Sequence, residues 1–195
     1  QNRAISPTPT IGGVGLIKNL NNMVNKNLKE IGSCIFIIGK TEGHLYQSEF
    51  FREIVGYKDG PPPEVNLFNE KNNGLSVQSL ISKKLAISVH DISSGGLLLA
   101  LSEMCISSGI GAKIKVPINN ISQHKYLFGE DQSRYIIEIS SKNKDEVSKI
   151  LENNGIYYEI IGNTQKDTLD LDKEFSVKLS DLKESHSFWF KNYFK

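Results

Sequence analysis

Two polar clusters in the 195-residue chain carry side chains that could take part in chemistry, and each lies where an apolar segment ends. The first combines a histidine and a carboxylate with two hydroxyls and a double glycine. The second is a dense run of a glycine, two carboxylates, an amide and a hydroxyl. The first cluster consists of His90, Asp91, Ser93, Ser94, Gly95 and Gly96, and the second of Gly129, Glu130, Asp131, Gln132 and Ser133.

The first cluster lies between a predicted strand and a predicted helix. The apolar run Leu85–Val89 predicts a short buried strand, and the periodic run Leu97–Met104 predicts a helix. The start of such a helix offers backbone N–H groups and a positive dipole end, which favour a bound phosphate, and His90 can donate a proton to an oxyanion. A structural interpretation also fits, in which Ser93 or Ser94 caps the helix and the glycines admit a neighbouring backbone.

The carboxylates of the two clusters raise the possibility of a metal ion. Asp91, Glu130 and Asp131 could hold Mg²⁺ together with phosphate oxygens, because hard cations prefer oxygen ligands. The alternative is that these carboxylates only order their loops. The chain shows no zinc-ligand spacing, Walker loop, GxGxxG fingerprint or Ser-His-Asp order. The sequence therefore assigns no catalytic residue and leaves the metal ligands unknown.

Composition narrows the class of protein. A content of 38% hydrophobic and 23% charged residues is typical of a globular domain, and the length allows one substantial core. A net charge of +1 with only three arginines does not favour nucleic acid as a partner. No apolar run reaches the roughly 18 residues that span a bilayer, and no signal pattern opens the chain, so we expect a cytoplasmic protein without a membrane partner.

The two cysteines and the first residue add two expectations. Cys34 and Cys105 lie far apart in apolar segments, so we expect buried free thiols, with a disulfide as the alternative. The chain begins with Gln1 rather than methionine, which favours an excised fragment or a processed chain.

The alternation of strand and helix patterns predicts an α/β (α+β) fold with a mixed sheet and flanking helices. The strand–helix–strand segment 134–162 predicts a partly ferredoxin-like arrangement. Residues 1–10 are expected to be a linker from a missing upstream domain, and residues 11–195 a single domain. The predicted strands are 11–17, 34–38, 85–89, 112–117, 134–139, 156–162 and a hairpin of 168–171 with 175–179. The predicted helices lie within 41–57, 64–85, 97–108, 121–128 and 142–154, and after a Ser180 cap.

The last predicted helix carries the aromatic residues Phe188, Trp189, Phe190, Tyr193 and Phe194. Aromatic rings at the end of a chain are more often a packing surface than a ligand site. We therefore expect this helix to dock on another domain or on the core of its own domain.

Four segments, in order along the chain, resemble the large-subunit type of phosphoribosylformylglycinamidine synthase. His90–Leu97 with Ala100–Met104 is similar to the family signature HD-x-S-x-GG-L…A-L-x-E-M, and Leu127–Tyr135 is similar to LFGE-x-QSRY. The segment Pro7–Gly15 resembles the connection between the last two domains. Ser48–Phe50, followed by the prolines of 60–63, resembles the region GSEY…PP. The resemblance covers essentially the whole chain and extends to the C-terminal domain of aminoimidazole ribonucleotide synthase.

The resemblance implies an ATP-dependent ligase of purine biosynthesis. Such an enzyme converts formylglycinamide ribonucleotide, ATP and ammonia from glutamine into the amidine, ADP and phosphate, with Mg²⁺ as cofactor. The implied partners are the upstream domains, a glutaminase that delivers ammonia, and the nucleotide substrate. The family motif GN-x-SLYN should lie upstream of Gln1, so the chain alone is expected to be inactive.

The resemblance leaves the role of this domain open. Glu130–Gln132 looks like the second-half counterpart of an ESQ-type substrate motif, and the first cluster would then form a nucleotide site. The alternatives are a structural half with an auxiliary or decayed nucleotide site, or a domain of a related kinase or synthase. The LFGE-x-QSRY match in 127–135 favours phosphoribosylformylglycinamidine synthase over a related kinase or synthase.

Overall fold

The computed structural model describes residues 9–17, 19–117 and 120–193. These ranges contain seven strands: β1 (Cys34–Ile38), β2 (Ala86–Asp91), β3 (Gly111–Ile114), β4 (Tyr135–Ile139), β5 (Tyr158–Gln165), β6 (Thr168–Leu171) and β7 (Phe175–Lys178). The same described ranges contain five α-helices: α1 (Leu67–Ser82), α2 (Gly96–Ser108), α3 (Gln123–Phe128), α4 (Lys144–Asn153) and α5 (Leu179–Tyr193). A π-helix covers Phe50–Val55, and short 3₁₀ turns cover Leu20–Asn22 and Ser141–Asn143.

The strands form one mixed sheet in the order β2-β4-β1-β5-β3-β6-β7. β3 and β6 pair in parallel, and the other neighbours are antiparallel. β4 and β5 flank β1 and are both antiparallel to it, so the unit β4-α4-β5 is a split β-α-β. The predicted mixed sheet with flanking helices and its partly ferredoxin-like character are therefore confirmed.

Helices cover both faces of the sheet, which explains why β1 is apolar at every position. Ile35 and Ile37 face a core cluster that includes α2 residues such as Leu101. Phe36 and Ile38 face a second cluster with α1 and α4 residues such as Leu80 and Leu151. Side chains alternate between the two faces of a strand, so a strand buried on both faces becomes a continuous apolar run.

Two predicted elements are wrong. Residues 11–17 are exposed and form no strand, and a Cβ built on Gly12, Gly13 or Gly15 would meet no described atom beyond its chain neighbours within 4 Å. A strand needs a paired neighbour, and none of the described residues supplies one here. The stretch 41–57 is helical only over Phe50–Val55, which ends as predicted at the left-handed Gly56. Residues 42–44 are held as a loop by hydrogen bonds to the Asp131 carboxylate.

The end of the chain differs from expectation in one detail. The last helix begins at Leu179, so Ser180 lies inside its first turn and bonds Asp181 rather than capping the helix. The described aromatic residues of 188–193 are largely exposed and belong to neither described core cluster, and Phe194 lies outside the described residues. Most of the predicted linker, residues 1–8, also lies outside the described residues.

Cys34 and Cys105 are both buried free thiols, as expected from their apolar surroundings. Burial raises the pKa of the Cys105 thiol to about 12. Within the described ranges, no helix is long and apolar enough to cross a membrane.

Candidate functional site

The two polar clusters meet at one cleft of about 380 Å³, which we call the motif cleft. Asp91, Ser93 and Ser94 come from the end of β2 and the loop before α2. Glu130, Asp131, Gln132 and Ser133 come from the loop between α3 and β4, and Pro63, Glu70, Ile92, Arg134 and Tyr135 complete the lining. β2 and β4 are adjacent and antiparallel, so the end of one strand lies beside the start of the other. The sheet topology therefore brings together residues that are far apart in sequence.

Glu130 joins the two loops that border this region. Its Oε1 accepts a hydrogen bond from the Gly95 N–H at 2.8 Å and another from the Glu49 N–H at 2.7 Å. The first bond places a carboxylate at the N-terminus of α2, where a negative charge is favourable. Glu130 thus binds the start of α2 to the segment that precedes the π-helix.

Both carboxylate oxygens of Asp131 accept hydrogen bonds that order the loop of residues 42–44. Its Oδ2 accepts from the Glu42 and Gly43 N–H groups at 3.0 and 2.9 Å, and its Oδ1 accepts from the His44 N–H at 3.0 Å. The buried Arg134 guanidinium lies 3.8 Å from Oδ2. This network explains why residues 42–44 form a loop where periodicity predicted a helix.

The buried side chain of Arg134 stabilises the loop that carries the second polar cluster. Its guanidinium is almost fully buried and donates to the carbonyl oxygens of Gly129 and Asp131 and to the Thr41 hydroxyl. Burial lowers the pKa of Arg134, and the negative charge of Asp131 opposes that shift. Because the guanidinium donates to groups of its own chain, Arg134 is a positioning residue for the loop between α3 and β4.

The double glycine is needed for close packing and backbone geometry. Gly95 and Gly96 both have positive φ, at 81° and 71°, and a Cβ on Gly96 would lie 2.7 Å from the Phe128 carbonyl carbon. The Gly96 N–H donates to the Ser93 carbonyl at 3.1 Å. Neither Ser93 nor Ser94 caps α2: Gly95 is the N-cap, with no side-chain capping bond of its own, so that prediction is wrong. The carboxylate of Glu130 instead accepts the N–H of Gly95, the N-cap residue.

His90 lies in β2 between two carboxylates, and it does not line the motif cleft. Its ring nitrogens are 3.2 Å from Asp91 Oδ1 and 3.2 Å from Glu103 Oε2. Glu103 also accepts from the Lys26 ammonium at 2.6 Å. The hydrogen bond from Lys26 lowers the pKa of Glu103, against the opposing effect of burial. Gly129, Gly95 and Gly96 are likewise absent from the cleft lining.

The described residues do not fit a magnesium site of the kind expected from the sequence. No group of three or more His, Cys, Asp or Glu side chains within them is arranged to hold a metal ion. Two of the three expected ligands, Glu130 and Asp131, already accept backbone hydrogen bonds. The metal site of Asp91, Glu130 and Asp131 therefore stays a prediction, and the hydrogen bonds of Glu130 and Asp131 favour the alternative, in which these carboxylates order their loops.

A larger cleft of about 620 Å³, which we call the lysine cleft, adjoins the motif cleft. It shares Pro63, Asp131, Gln132 and Ser133 with the motif cleft. Its other lining residues are Lys40, Glu42, Gly43, His44, Leu45, Tyr46, Phe51, Glu64, Asn66, Asn69 and Lys125. Sequence reasoning missed this cleft because its residues come from four separate segments, none of which carries a recognisable pattern.

Comparison with known proteins gives a consistent relationship. The family "AIR synthase related protein, C-terminal domain" matches residues 30–172. The phosphoribosylformylglycinamidine synthase subunit PurL of Pelagibacter ubique is 51% identical over 189 residues, which cover 97% of this chain and 26% of that protein. The chain thus spans about a quarter of the length of this curated relative.

Solved structures share the fold. T. maritima PurL complexed with FGAR superposes with a TM-score of 0.68 at 18% identity, covering 84% of this chain and 30% of that chain. T. maritima PurL complexed with ATP superposes with a TM-score of 0.64 at 17% identity, covering 84% and 27%. At such low identity these likenesses show the fold alone.

These findings confirm the resemblance that the motifs of 90–104 and 127–135 indicated. The match to the family covers well over half of the chain and includes both motifs and both clefts. The chain belongs to the family of AIR synthase related proteins, as a C-terminal domain of that type.

Proposed function

We propose that this chain is the C-terminal domain of an ATP-dependent, amidine-forming ligase of purine biosynthesis. The complete enzyme converts formylglycinamide ribonucleotide, ATP and ammonia from glutamine into formylglycinamidine ribonucleotide, ADP and phosphate. Its relationship to PurL, together with the two motifs, supports the proposal. ATP and Mg²⁺ are the cofactors proposed for the complete enzyme, and no step is assigned to Mg²⁺ at this domain.

The observation that carries the proposal is the convergence of the two motifs on one cleft. Gly95 and Glu130 lie 35 residues apart in sequence and are joined by a direct hydrogen bond. Asp91, Ser93, Ser94, Gln132 and Ser133 then line the cleft with polar groups that can bind a ligand's hydroxyls and amides. Glu130 and Asp131 position these residues through the backbone.

The proposal includes partners. The chain corresponds to about a quarter of the relative, so the upstream domains of the same enzyme are proposed to complete the active site. A glutaminase is proposed to deliver ammonia, because the reaction takes its nitrogen from glutamine. The boundaries of 1–10 as linker and 11–195 as one domain, and the cytoplasmic location, stay predictions.

The test uses the complete synthase with Asp91→Ala in this domain. The Asp91 side chain is 64% exposed, so its removal should leave the fold intact. Asp145→Ala on α4, another exposed carboxylate outside both clefts, is the matched control. Amidine formation is measured from formylglycinamide ribonucleotide, ATP and ammonium chloride, which removes the need for the glutaminase. We expect turnover to be lost in Asp91→Ala and retained in the control.

A second candidate function is a structural half of the enzyme with a decayed nucleotide site. It is favoured by one observation: the carboxylates of Glu130 and Asp131 are already bound to backbone N–H groups of this chain. Unchanged turnover in Asp91→Ala would support this structural role and contradict a functional motif cleft. We also expect the isolated chain to form no amidine, and detectable product from it would overturn that expectation.

A further inference from the structure

The motif cleft is poorly suited to a phosphate group. Glu70, Asp91, Glu130 and Asp131 line it, and Arg134 is the one cation among its described lining residues. The Arg134 guanidinium is buried and donates to acceptors of its own chain. A phosphate placed there would face the exposed Asp91 carboxylate, and the lining offers no cation free of internal hydrogen bonds to offset the repulsion.

The negative charges of the carboxylates that line the motif cleft also affect the Tyr135 side chain. Burial raises the pKa of Tyr135, and the negative charges of Glu70 and Asp91 raise it further. The same charges oppose the approach of an anionic group. Two backbone donors at the start of α2 are already used, because the N–H groups of Gly95 and Gly96 donate to Glu130 and to the Ser93 carbonyl. A phosphate that bound the Gly95 N–H would have to displace the Glu130 carboxylate.

The lysine cleft carries lysines that the motif cleft lacks. Its described lining has Lys40 and Lys125 together with Glu42, the exposed Glu64 and the internally bonded Asp131, whereas the described lining of the motif cleft contains no lysine. Lys40 pairs with Glu42 at 2.9 Å, while the Lys125 ammonium makes no ion pair within the described part of the chain. Asn66, Asn69 and Gln132 add amide groups, and the half-exposed Tyr46 ring forms part of the wall. A cation with nearby amide donors is a suitable environment for phosphate oxygens.

The two clefts are continuous along Pro63 and the segment 131–133, which line both. A nucleotide has a phosphate end and a hydroxyl-bearing sugar, and carboxylates are good acceptors for sugar hydroxyls. We infer that a nucleotide bound to this domain places its phosphate in the lysine cleft against Lys125 and its sugar hydroxyls toward Asp91 in the motif cleft. This orientation rests on the proposed function, since it takes a nucleotide as the ligand.

The experiment titrates the 195-residue chain with ADP and with adenosine, by calorimetry and by amide chemical-shift mapping. The test variant is Lys125→Ala, which retains the Cβ that packs near Gly43. The control is Lys149→Ala, because Lys149 is an exposed lysine on α4 that also makes no ion pair with a described residue. We expect Lys125→Ala to weaken ADP binding about tenfold, since one charge-assisted hydrogen bond is lost. Adenosine binding should not change, and Lys149→Ala should match the wild-type chain.

Two outcomes would overturn the orientation. In the first, ADP binds Lys125→Ala as tightly as wild type and shifts only the amides of 93–96, which would place the phosphate at the motif loop and leave the proposed function standing. In the second, the wild-type chain binds no ADP at millimolar concentration. The turnover assay on Asp91→Ala then tests the proposed function separately. A failure of the proposed nucleotide orientation can therefore be distinguished from a failure of the proposed function.

Discussion

The Glu130 carboxylate accepts a hydrogen bond from the Gly95 N–H at 2.8 Å, so the N-terminus of α2 already holds an anion supplied by its own chain. Glycine-rich turns before helices are often read as phosphate sites, because the helix start is electropositive. Here the positive end of α2 is used to join two loops. The main role of the double glycine is therefore to allow close packing and to join the two loops, rather than to bind a phosphate.

We expect Glu130→Gln to lower the free energy of unfolding by about 1 kcal/mol, because the amide oxygen still accepts but the negative charge at the helix start is lost. Urea denaturation of the wild-type and variant chains measures the difference. Glu174→Gln, which changes an exposed side chain outside both clefts, is the control and should be neutral. Equal stability of the two variants would show that the carboxylate charge does not stabilise α2.

Asp131→Asn should cost more, about 2 kcal/mol, because both Asp131 oxygens accept backbone N–H groups and an amide nitrogen cannot accept. We expect the backbone amide of His44 or of Glu42 and Gly43 to exchange faster with solvent, since one oxygen is replaced by a donor. Hydrogen exchange measured residue by residue reports this directly, with Asp145→Asn as control. Unchanged exchange across 42–44 would contradict the role assigned to Asp131.

Gly96→Ala should be strongly destabilising, by about 3 kcal/mol. The residue has φ of 71°, and its Cβ would lie 2.7 Å from the Phe128 carbonyl carbon and 2.8 Å from the Gly129 oxygen. Gly74→Ala in α1 is the contrasting control, because its nearest neighbour is the Tyr135 hydroxyl at 3.6 Å. We expect that change to stabilise the chain by about 0.5 kcal/mol through helix propensity. Thermal denaturation of both variants tests the pair.

The Lys26–Glu103 ion pair predicts a pH-dependent contribution to stability. Because the folded-state pKa of Glu103 is lowered, the pair stabilises the fold above the pKa of an unfolded glutamate, about 4.3, and loses that effect as pH falls through the folded pKa. Lys26→Ala should lower stability at pH 7 by about 0.5 kcal/mol, allowing for the partial exposure of both side chains. NMR titration should show the Glu103 pKa rising in this variant but not in Lys149→Ala. An unchanged Glu103 pKa would contradict the assignment.

Cys105 should be chemically inert in the folded chain. Burial raises its pKa to about 12, so almost no thiolate is present at pH 8, and the side chain has no exposed surface. A thiol-reactive reagent at pH 8 should leave Cys105 unmodified in the native protein and label it after denaturation. Mass spectrometry of the labelled peptides gives the result, and rapid native labelling at Cys105 would contradict the buried thiol.

Much of the secondary structure followed from local patterns. The apolar run 34–38 predicted a buried strand, and the amphipathic run 142–154 predicted a helix that corresponds to α4 within a few residues. The failures have a tertiary cause. The spacing in 41–57 satisfies a helical pattern, but Asp131 takes up the backbone N–H groups of 42–44 and holds a loop. The glycine-containing run 11–17 has no described strand to pair with.

In the candidate site, too, some features follow from local sequence patterns and others depend on the tertiary structure. The residue types of the two clusters and their order along the chain were enough to indicate the family, because a motif is a local property of the sequence. The sequence could not show that Glu130 and Asp131 bond to backbone groups more than 30 residues away, or that Lys125 shares a cleft with Asn66. Those relationships depend on the strand order, in which β2 lies beside β4 and β4 beside β1. The sequence by itself determined most of the elements and the residue types available for chemistry. Only the tertiary structure decided which polar groups bond to each other and which face a cleft, because long-range pairing sets the distances between them.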